Sequence, residues 1–322
     1  MENNSLNIGI ISTASIAHRF AEATKDAANA NALAISSRDL GKAQHFANKH
    51  NLTKAYDDYH ELLNDPEIDV VYIPLVNSLH YPFAKEALLA NKHVLLEKPF
   101  TIHKYEAEEL RDIAKERNLF LTETVKTVFL PVFKDIKEIV DNKTYGEIQF
   151  MEFKQSYVSG EYIDGWNKQR EFGGGVLYGN EAYFFTTAEF LAGNIQKVCG
   201  LSSFGQHDVE DQMSLSIKLE NNSLATNCVS TNILFKNGLI MYLDKARIEI
   251  PDYWKARKAF IYQGDSLVQT IDYPCEHELV YEIEHYVDCI QKGLTESPVT
   301  PLNKTIKYIG ICERIKERWE NT

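Results

Sequence analysis

The sequence predicts an α/β part built on a doubly wound parallel sheet, followed by an α+β part with an antiparallel sheet. Three observations predict it. Up to about residue 123, short apolar runs alternate with amphipathic helical stretches, the pattern of β-α-β units joined by right-handed crossovers. Beyond that point alternating apolar and polar runs follow one another through turns, as in an antiparallel sheet. A chain of 322 residues with 44% hydrophobic and 25% charged residues has the length for two domains, each burying a core. The expected division is 1–123 and 124–322.

Charge and cysteine usage narrow the function classes. A formal net charge of −12 argues against nucleic-acid and anionic-membrane partners, both of which need a basic face. Met1 to Leu6 is short and polar, which reads as no signal peptide, and no apolar run approaches a membrane span. Cys199, Cys228, Cys275, Cys289 and Cys312 are odd in number and dispersed, so free, mostly buried thiols in a reducing cytoplasm are expected. Cys275-Glu276-His277 is the nearest approach to a metal motif, but no second ligand cluster accompanies it and no metal is expected.

In chain order, Asn7–Ile11 reads as a buried strand running into Ser12-Thr13-Ala14-Ser15-Ile16-Ala17 and a helix to about Thr24. Strand, tight turn and helix have the shape of a dinucleotide phosphate loop, with Gly9 in the strand. The glycines of G-x-G-x-x-G would fall at 12, 14 and 17, where Ser12, Ala14 and Ala17 stand, so only the smallness of the motif is kept, and a plain βα turn would use similar residues. A second strand, Ala32–Ser36, ends in Ser36-Ser37-Arg38. A NAD site carries a carboxylate at that strand end, whereas Ser and Arg suit a 2′-phosphate. The reading therefore leans to NADP(H), with NAD(H) possible and with Arg38 as a plain solvated charge the alternative.

Helices follow at Leu40–Lys49 and Asp58–Leu63, then a strand at Asp69–Pro74 that leads through Asn77 and His80 into a helix to Ala90. The run His93–Phe100 carries the sharpest signal. Val94-Leu95-Leu96 is a buried strand, and Pro99, which cannot donate to a sheet ladder, ends it at Glu97-Lys98. A lysine is thereby held at the C-terminal edge of an open α/β sheet, where ligands bind, with a plain surface lysine at a strand end the alternative. A helix at His103–Glu116 and a strand at Leu119–Glu123 close the first part.

The second part opens with a helix at Pro131–Val140 and a strand from Ile148. Met213–Leu219 alternates strictly and turns through Asn221-Asn222-Ser223 into Leu224–Val229. Strands at 239–243, 246–250, 259–262 and 267–272 continue the series. Helices at Glu278–Lys292, stopped by Gly293, and at Thr300–Trp319 complete the chain. Trp166 and Gly173-Gly174-Gly175 precede a helix on which Gly179, Asn180 and Tyr183 are placed on one face. The same residues also fit a loosely capped helix start with Tyr183 in the core.

Together, Gly9–Ala17, Asn77 with His80, Glu97-Lys98-Pro99, Glu123, Pro131, Trp166, the three glycines and Tyr183 resemble the Gfo/Idh/MocA family of NAD(P)-dependent oxidoreductases over nearly the whole chain. Ile248–Trp254 and Glu282–His285 are similar to the trans-dihydrodiol dehydrogenase branch of that family. The resemblance implies a Rossmann domain and an open-faced antiparallel sheet domain with the active site between them, and homodimers or higher homo-oligomers formed through that sheet. It implies that Lys98 meets the nicotinamide end of the cofactor and the substrate hydroxyl, and that the Lys98–Pro99 bond can be cis. Tyr183 falls on the family's second catalytic position. Gly9, Ser12, Thr13, Ala14, Ser15, Ile16, Ser36, Ser37, Arg38, Pro74, Asn77, His80, Glu97 and Lys98 fall where the cofactor is bound. Trp166, Asn180 and Tyr183 fall on the substrate side. Two departures stand out. Gly179 replaces the Asp that many members carry four residues before the Tyr183 position, and Val128 lies nearest to an arginine often found after the Glu123 position.

The expected reaction is hydride transfer between NADP(H) and a secondary alcohol or ketone of a sugar, polyol or cyclic diol. Tyr183 is the candidate acid/base and Lys98 the group that stabilises the alkoxide. Two alternatives are a cofactor-binding regulator with weakened catalysis, which Gly179 and Val128 permit, and a redox-assisted glycosidase with tightly held NAD.

Overall fold

The computed structural model describes residues 5–158, 165–205 and 207–320. By contact the chain forms two compact units, and their division is not the single cut expected at 123/124. One takes the chain up to Thr124 together with His277–Ile309, and the other takes Val125–Glu276 and the chain from Gly310.

The first unit contains β1 (Leu6–Ile11), α1 (Ser15–Asp26), β2 (Ala30–Ser36), α2 (Leu40–His50), β3 (Lys54–Tyr56), α3 (Tyr59–Asn64), β4 (Val70–Ile73), α4 (His80–Leu89), β5 (His93–Glu97), α5 (Lys104–Glu116) and β6 (Leu121–Thr124). The strands lie in the order β3-β2-β1-β4-β5-β6, with every pairing parallel. The order reverses between β1 and β4, and a crevice for ligands opens outside the C-terminal ends of strands at such a reversal. β4 and the centre of β5 are fully buried because both sheet faces are covered. Val70, Val71, Tyr72, Ile73, Val94, Leu95 and Leu96 all have 0% exposure. Each such aliphatic side chain contributes roughly 1.5–3 kcal/mol by leaving water. Gly9 on β1 serves this packing, since a Cβ there would lie 2.8 Å from Leu62 and 3.0 Å from Ile68.

The second unit contains α6 (Pro131–Asp141), β7 (Ile148–Ser156), α7 (Val176–Ala192), β8 (Ile195–Phe204), β9 (Glu210–Leu219), β10 (Leu224–Ser230), β11 (Gly238–Leu243), β12 (Arg247–Pro251), β13 (Lys258–Gln263) and β14 (Ser266–Asp272). Its sheet runs β14-β13-β12-β11-β7-β10-β9-β8. The sheet is antiparallel as expected, with one parallel pair, β7 with β10, inside it. The β9–β10 hairpin forms at Asn221–Ser223, where Asn222 takes φ 70° and the Asn221 side chain accepts from the Ser223 amide and hydroxyl. One face, with Met213, Leu215, Ile217 and Val229, is buried, whereas Ser214, Ser216 and Leu224 of the other are exposed. The last two helices are α8 (Val280–Gln291), which belongs to the first unit, and α9 (Leu302–Glu320), which is divided between the two.

Candidate active site

The turn after β1 has glycine's geometry without glycine. Ser12 takes φ 108°, its amide donates to Ser36 O at 2.9 Å, and its Oγ accepts from the Ala14 amide at 3.2 Å. Thr13 and Ala14 follow, and α1 begins at Ser15 with Ile16 in its first turn, so the small residues do build a strand–turn–helix. At the end of β2, Ser36 is buried, Ser37 half-buried and Arg38 exposed. Asp39 then caps α2, its Oδ1 accepting from the Lys42 amide at 3.1 Å. A cleft of about 340 Å³ lies here, lined by Thr13, His18, Asp39, Gly41, Lys42, His45 and Phe46. The sequence singled out its Thr13 edge and the neighbouring Arg38. Lys42 and the two histidines escaped notice because they join the turn only when α1 and α2 pack side by side.

Pro74 is buried just after β4, and Asn77, also buried, accepts from the His80 amide through its carbonyl. His80 is fully buried, with Nδ1 2.6 Å from Pro99 O and Nε2 3.0 Å from Leu75 O. Burial lowers its pKa, and the two carbonyls, which only accept, act against that shift. β5 delivers Glu97 and Lys98, both half-buried. Glu97 Oε1 accepts from Tyr72 OH at 2.6 Å, and its Oε2 accepts from the Lys98 amide at 3.2 Å. Tyr72 in turn stacks on Phe20 of α1, with ring centroids 3.8 Å apart and planes at 11°.

The Lys98–Pro99 bond is cis. Beyond it one peptide unit is held at both ends: the Pro99 carbonyl accepts from His80, and the Phe100 amide donates to Glu123 Oε1 at 2.8 Å. The other oxygen of Glu123 meets Thr305 Oγ1 at 3.4 Å, and its carbonyl accepts from Tyr286 OH at 3.1 Å. Burial pushes the Glu123 carboxyl up to about 7. The lysine corner is thus fixed by residues from β4, α4, β6, α8 and α9, all within the first unit.

In the second unit Trp166 lies half-buried in a short turn, Trp166–Lys168. Lys168 is nearly buried, paired with Asp211 and 2.9 Å from Thr231 Oγ1. Two of the three glycines make room for other protein groups. A Cβ on Gly174 would lie 2.3 Å from Asn167 O, and one on Gly175, at φ 110°, 2.4 Å from Glu210 Oε1. That carboxylate accepts from the Leu177 amide at 3.0 Å, so one amide in the first turn of α7 is taken by the chain's own Glu210. Along α7 the less buried residues are Gly179, Tyr183, Thr186 and Phe190, one stripe at helical spacing. Asn180 is not on it. It is fully buried, accepting from Tyr157 OH at 3.1 Å and donating to Val176 O at 3.3 Å. Val128 is buried at the expected arginine position.

Among the described residues no group of three His, Cys, Asp or Glu is arranged to hold a metal, and no helix is long and apolar enough to cross a membrane. His277 instead pairs with Asp26 at 2.7 Å. Of the five free thiols only Cys289 and Cys312 are buried, fewer than expected.

The parallel order with its reversal is that of a dinucleotide-binding domain. Comparison with known proteins agrees. The family model described as "Oxidoreductase family, NAD-binding Rossmann fold" matches residues 6–125, and the GFO/IDH/MocA C-terminal domain matches residues 133–250. The chain belongs to the Gfo/Idh/MocA family of NAD(P)-binding oxidoreductases. A trans-1,2-dihydrobenzene-1,2-diol dehydrogenase of Xenopus laevis is 28% identical over 321 residues, covering 96% of this chain and 97% of the relative. Two solved structures share the fold across 98% of both chains. One is a levoglucosan dehydrogenase in complex with NADH and levoglucosan (TM-score 0.87, 19% identity). The other is a 3-ketoreductase of Actinomadura kijaniata in complex with NADP and TDP-benzene (TM-score 0.85, 21% identity).

Proposed function

We propose that this oxidoreductase transfers a hydride between NADP(H), in preference to NAD(H), and a secondary alcohol or ketone of a sugar, polyol or cyclic diol. The observation that carries the reading is the rigid corner holding Lys98 at the end of β5, next to a strand-order reversal. The diol and sugar substrates named for the relatives are compatible with it. The glycine-like turn at Ser12 leaves backbone amides at the start of α1 for a pyrophosphate, supported by the Thr13 and Ser15 hydroxyls. Ser37, Arg38 and Lys42 offer donors and positive charge to a 2′-phosphate. One such charged hydrogen bond, at about 1.5–3 kcal/mol, gives roughly ten- to a hundred-fold in affinity. Asp39 shares that cleft, but its Oδ1 is engaged by the Lys42 amide.

The bound nicotinamide supplies a carbon that accepts or returns the hydride. Lys98 stabilises the alkoxide that forms when the hydroxyl proton leaves, as a cation aimed at developing negative charge. Tyr183, on the less buried stripe of α7, takes that proton in oxidation and gives it back in reduction. Gly9 stays a packing residue and Pro74 and Asn77 shape the loop after β4. Trp166 forms part of the substrate surface, and Asn180 supports α7 from beneath. The outer face of the second sheet is the surface for self-association.

Lys98→Ala tests the assignment. Turnover of a diol or sugar substrate is expected to fall by about 10²–10⁴-fold, the usual contribution of a positioned acid–base or electrostatic group, with NADPH affinity changed no more than a few-fold. Full turnover in this variant would overturn the reading.

A further inference from the structure

Beside the cleft at the start of α2, three titratable side chains form a chain of hydrogen bonds that the reaction does not use. His18 and Glu22 lie one turn apart on α1, and His50 closes α2. His18 Nδ1 is 2.6 Å from His50 Nε2, and His50 Nδ1 is 2.6 Å from Glu22 Oε1. His50 is buried at 4% exposure, and the His18 ring packs on Phe46 with centroids 4.5 Å apart. Hydrogen bonds from Lys25 and His50 hold the Glu22 carboxyl below its usual range, so it is an acceptor only.

That carboxylate fixes every proton in the chain. It demands the Nδ1–H tautomer of His50, which leaves the His50 Nε2 lone pair to accept from His18 Nδ1–H. The reverse arrangement would set a lone pair of His50 against the carboxylate. His18 Nε2 is then a vacant proton site on a ring that lines the cleft with Thr13, Asp39, Lys42 and His45. Burial lowers the pKa of His18, and Lys49, His50 and His45 of α2 add to that against Glu22 on its own helix. The ring is therefore neutral near pH 7 until an anion enters.

We propose that this cleft takes the 2′-phosphate of NADP(H) and that His18 binds it as an imidazolium, its other N–H anchored through His50 to Glu22. The inference rests on the cofactor preference argued above and adds a consequence: NADP(H) binds together with a proton, and NAD(H) does not. A dianion a hydrogen bond away raises the His18 pKa, so proton uptake is largest between the free and bound values. The preference for NADP(H) then widens as pH falls from 8 to 6. Below about pH 6 the phosphate takes up its own second proton and the gain ends.

Calorimetric titration of the whole chain with NADPH and NADH, in buffers of different ionisation enthalpy at pH 7, counts the protons. The expected result is uptake of about half to one proton with NADPH and none with NADH. His18→Asn should abolish that uptake, and Glu22→Gln, at a half-exposed position that leaves the core intact, should move it to lower pH. Equal uptake by NADPH in the wild type and His18→Asn, with NADPH still the tighter ligand, would overturn the relay alone. NADPH binding no tighter than NADH at any pH between 6 and 8 would overturn the cofactor preference and the relay with it.

Discussion

At residue 175 an added methyl group collides with a carboxylate, whereas at residue 179, one helical turn on, it meets nothing within 4 Å. Two glycines of one segment therefore answer substitution with opposite signs. Gly175→Ala has to relieve φ 110° and displace Glu210 from the Leu177 amide, and should cost about 2–4 kcal/mol. Gly179→Ala keeps an ordinary helical backbone and removes glycine's extra entropy loss, and should stabilise by about 0.5–1 kcal/mol. Urea denaturation midpoints of the two variants check both signs. At this scale the sequence showed which residues are small but not why. Ser12 was legible as a substitute for glycine, yet only the fold shows that it adopts glycine's backbone. Asn180 was placed beside Tyr183 because helical spacing alone does not say which side of a helix buried almost all round stays open.

At the scale of elements, the peptide after Pro99 ties the lysine corner to two buried side chains, one nineteen residues upstream and one on the next strand. Glu123 makes this tie pH-dependent. Its carboxyl is raised from 4.5 to about 7 by burial, so between those values the folded chain holds a proton that the unfolded chain gives up. Stability from this group is fully present below about pH 4.5 and is lost as pH rises through 7, a change of about 2–3 kcal/mol between pH 5 and 8. Glu123→Gln keeps an acceptor for the Phe100 amide and a donor for Thr305. It should be more stable than the wild type at pH 8 by a similar amount, with a flatter pH profile in chemical denaturation. An unchanged slope between pH 5 and 8 would assign the titration elsewhere. The corner itself was legible, since an apolar run ending in Glu-Lys-Pro admits few shapes. Its clamp was not, because parallel β-α-β topology brings His80, Glu123, Tyr286 and Thr305 together across long stretches of chain. Strand length explains the other gaps. β1, β4 and β5 announced themselves as buried runs, whereas β3 has three half-buried residues and β8 is an edge strand with most side chains exposed, so neither carries an alternation to read.

At the scale of the whole molecule, the sheet of the second unit leaves one broad face uncovered. Across it run Leu224, Phe150, Tyr242, Arg247 and Tyr262 on neighbouring strands, with Phe150 6.2 Å from Tyr242 and the Arg247 guanidinium 4.7 Å above Tyr262. Leu201 is 77% exposed and Leu224 50%, while Glu152 with Lys154 and Arg247 with Glu249 pair off charge on the same strands. An apolar row inside paired charges has the make-up of a surface that meets its own copy. The net charge of −12 works against that meeting, because each copy carries the same excess. Salt screens the repulsion and leaves the apolar contact intact, so association should tighten several-fold as ionic strength rises from about 0.05 to 0.5 M, where the Debye length falls to a few ångströms. Sedimentation velocity should show a dimer or larger species at micromolar concentration. The double variant Phe150→Glu/Tyr242→Glu should sediment as a monomer with an unchanged far-ultraviolet circular dichroism spectrum. A wild-type monomer at every salt concentration would rule this face out as a contact between copies. A variant that stays associated would place the contact on another surface.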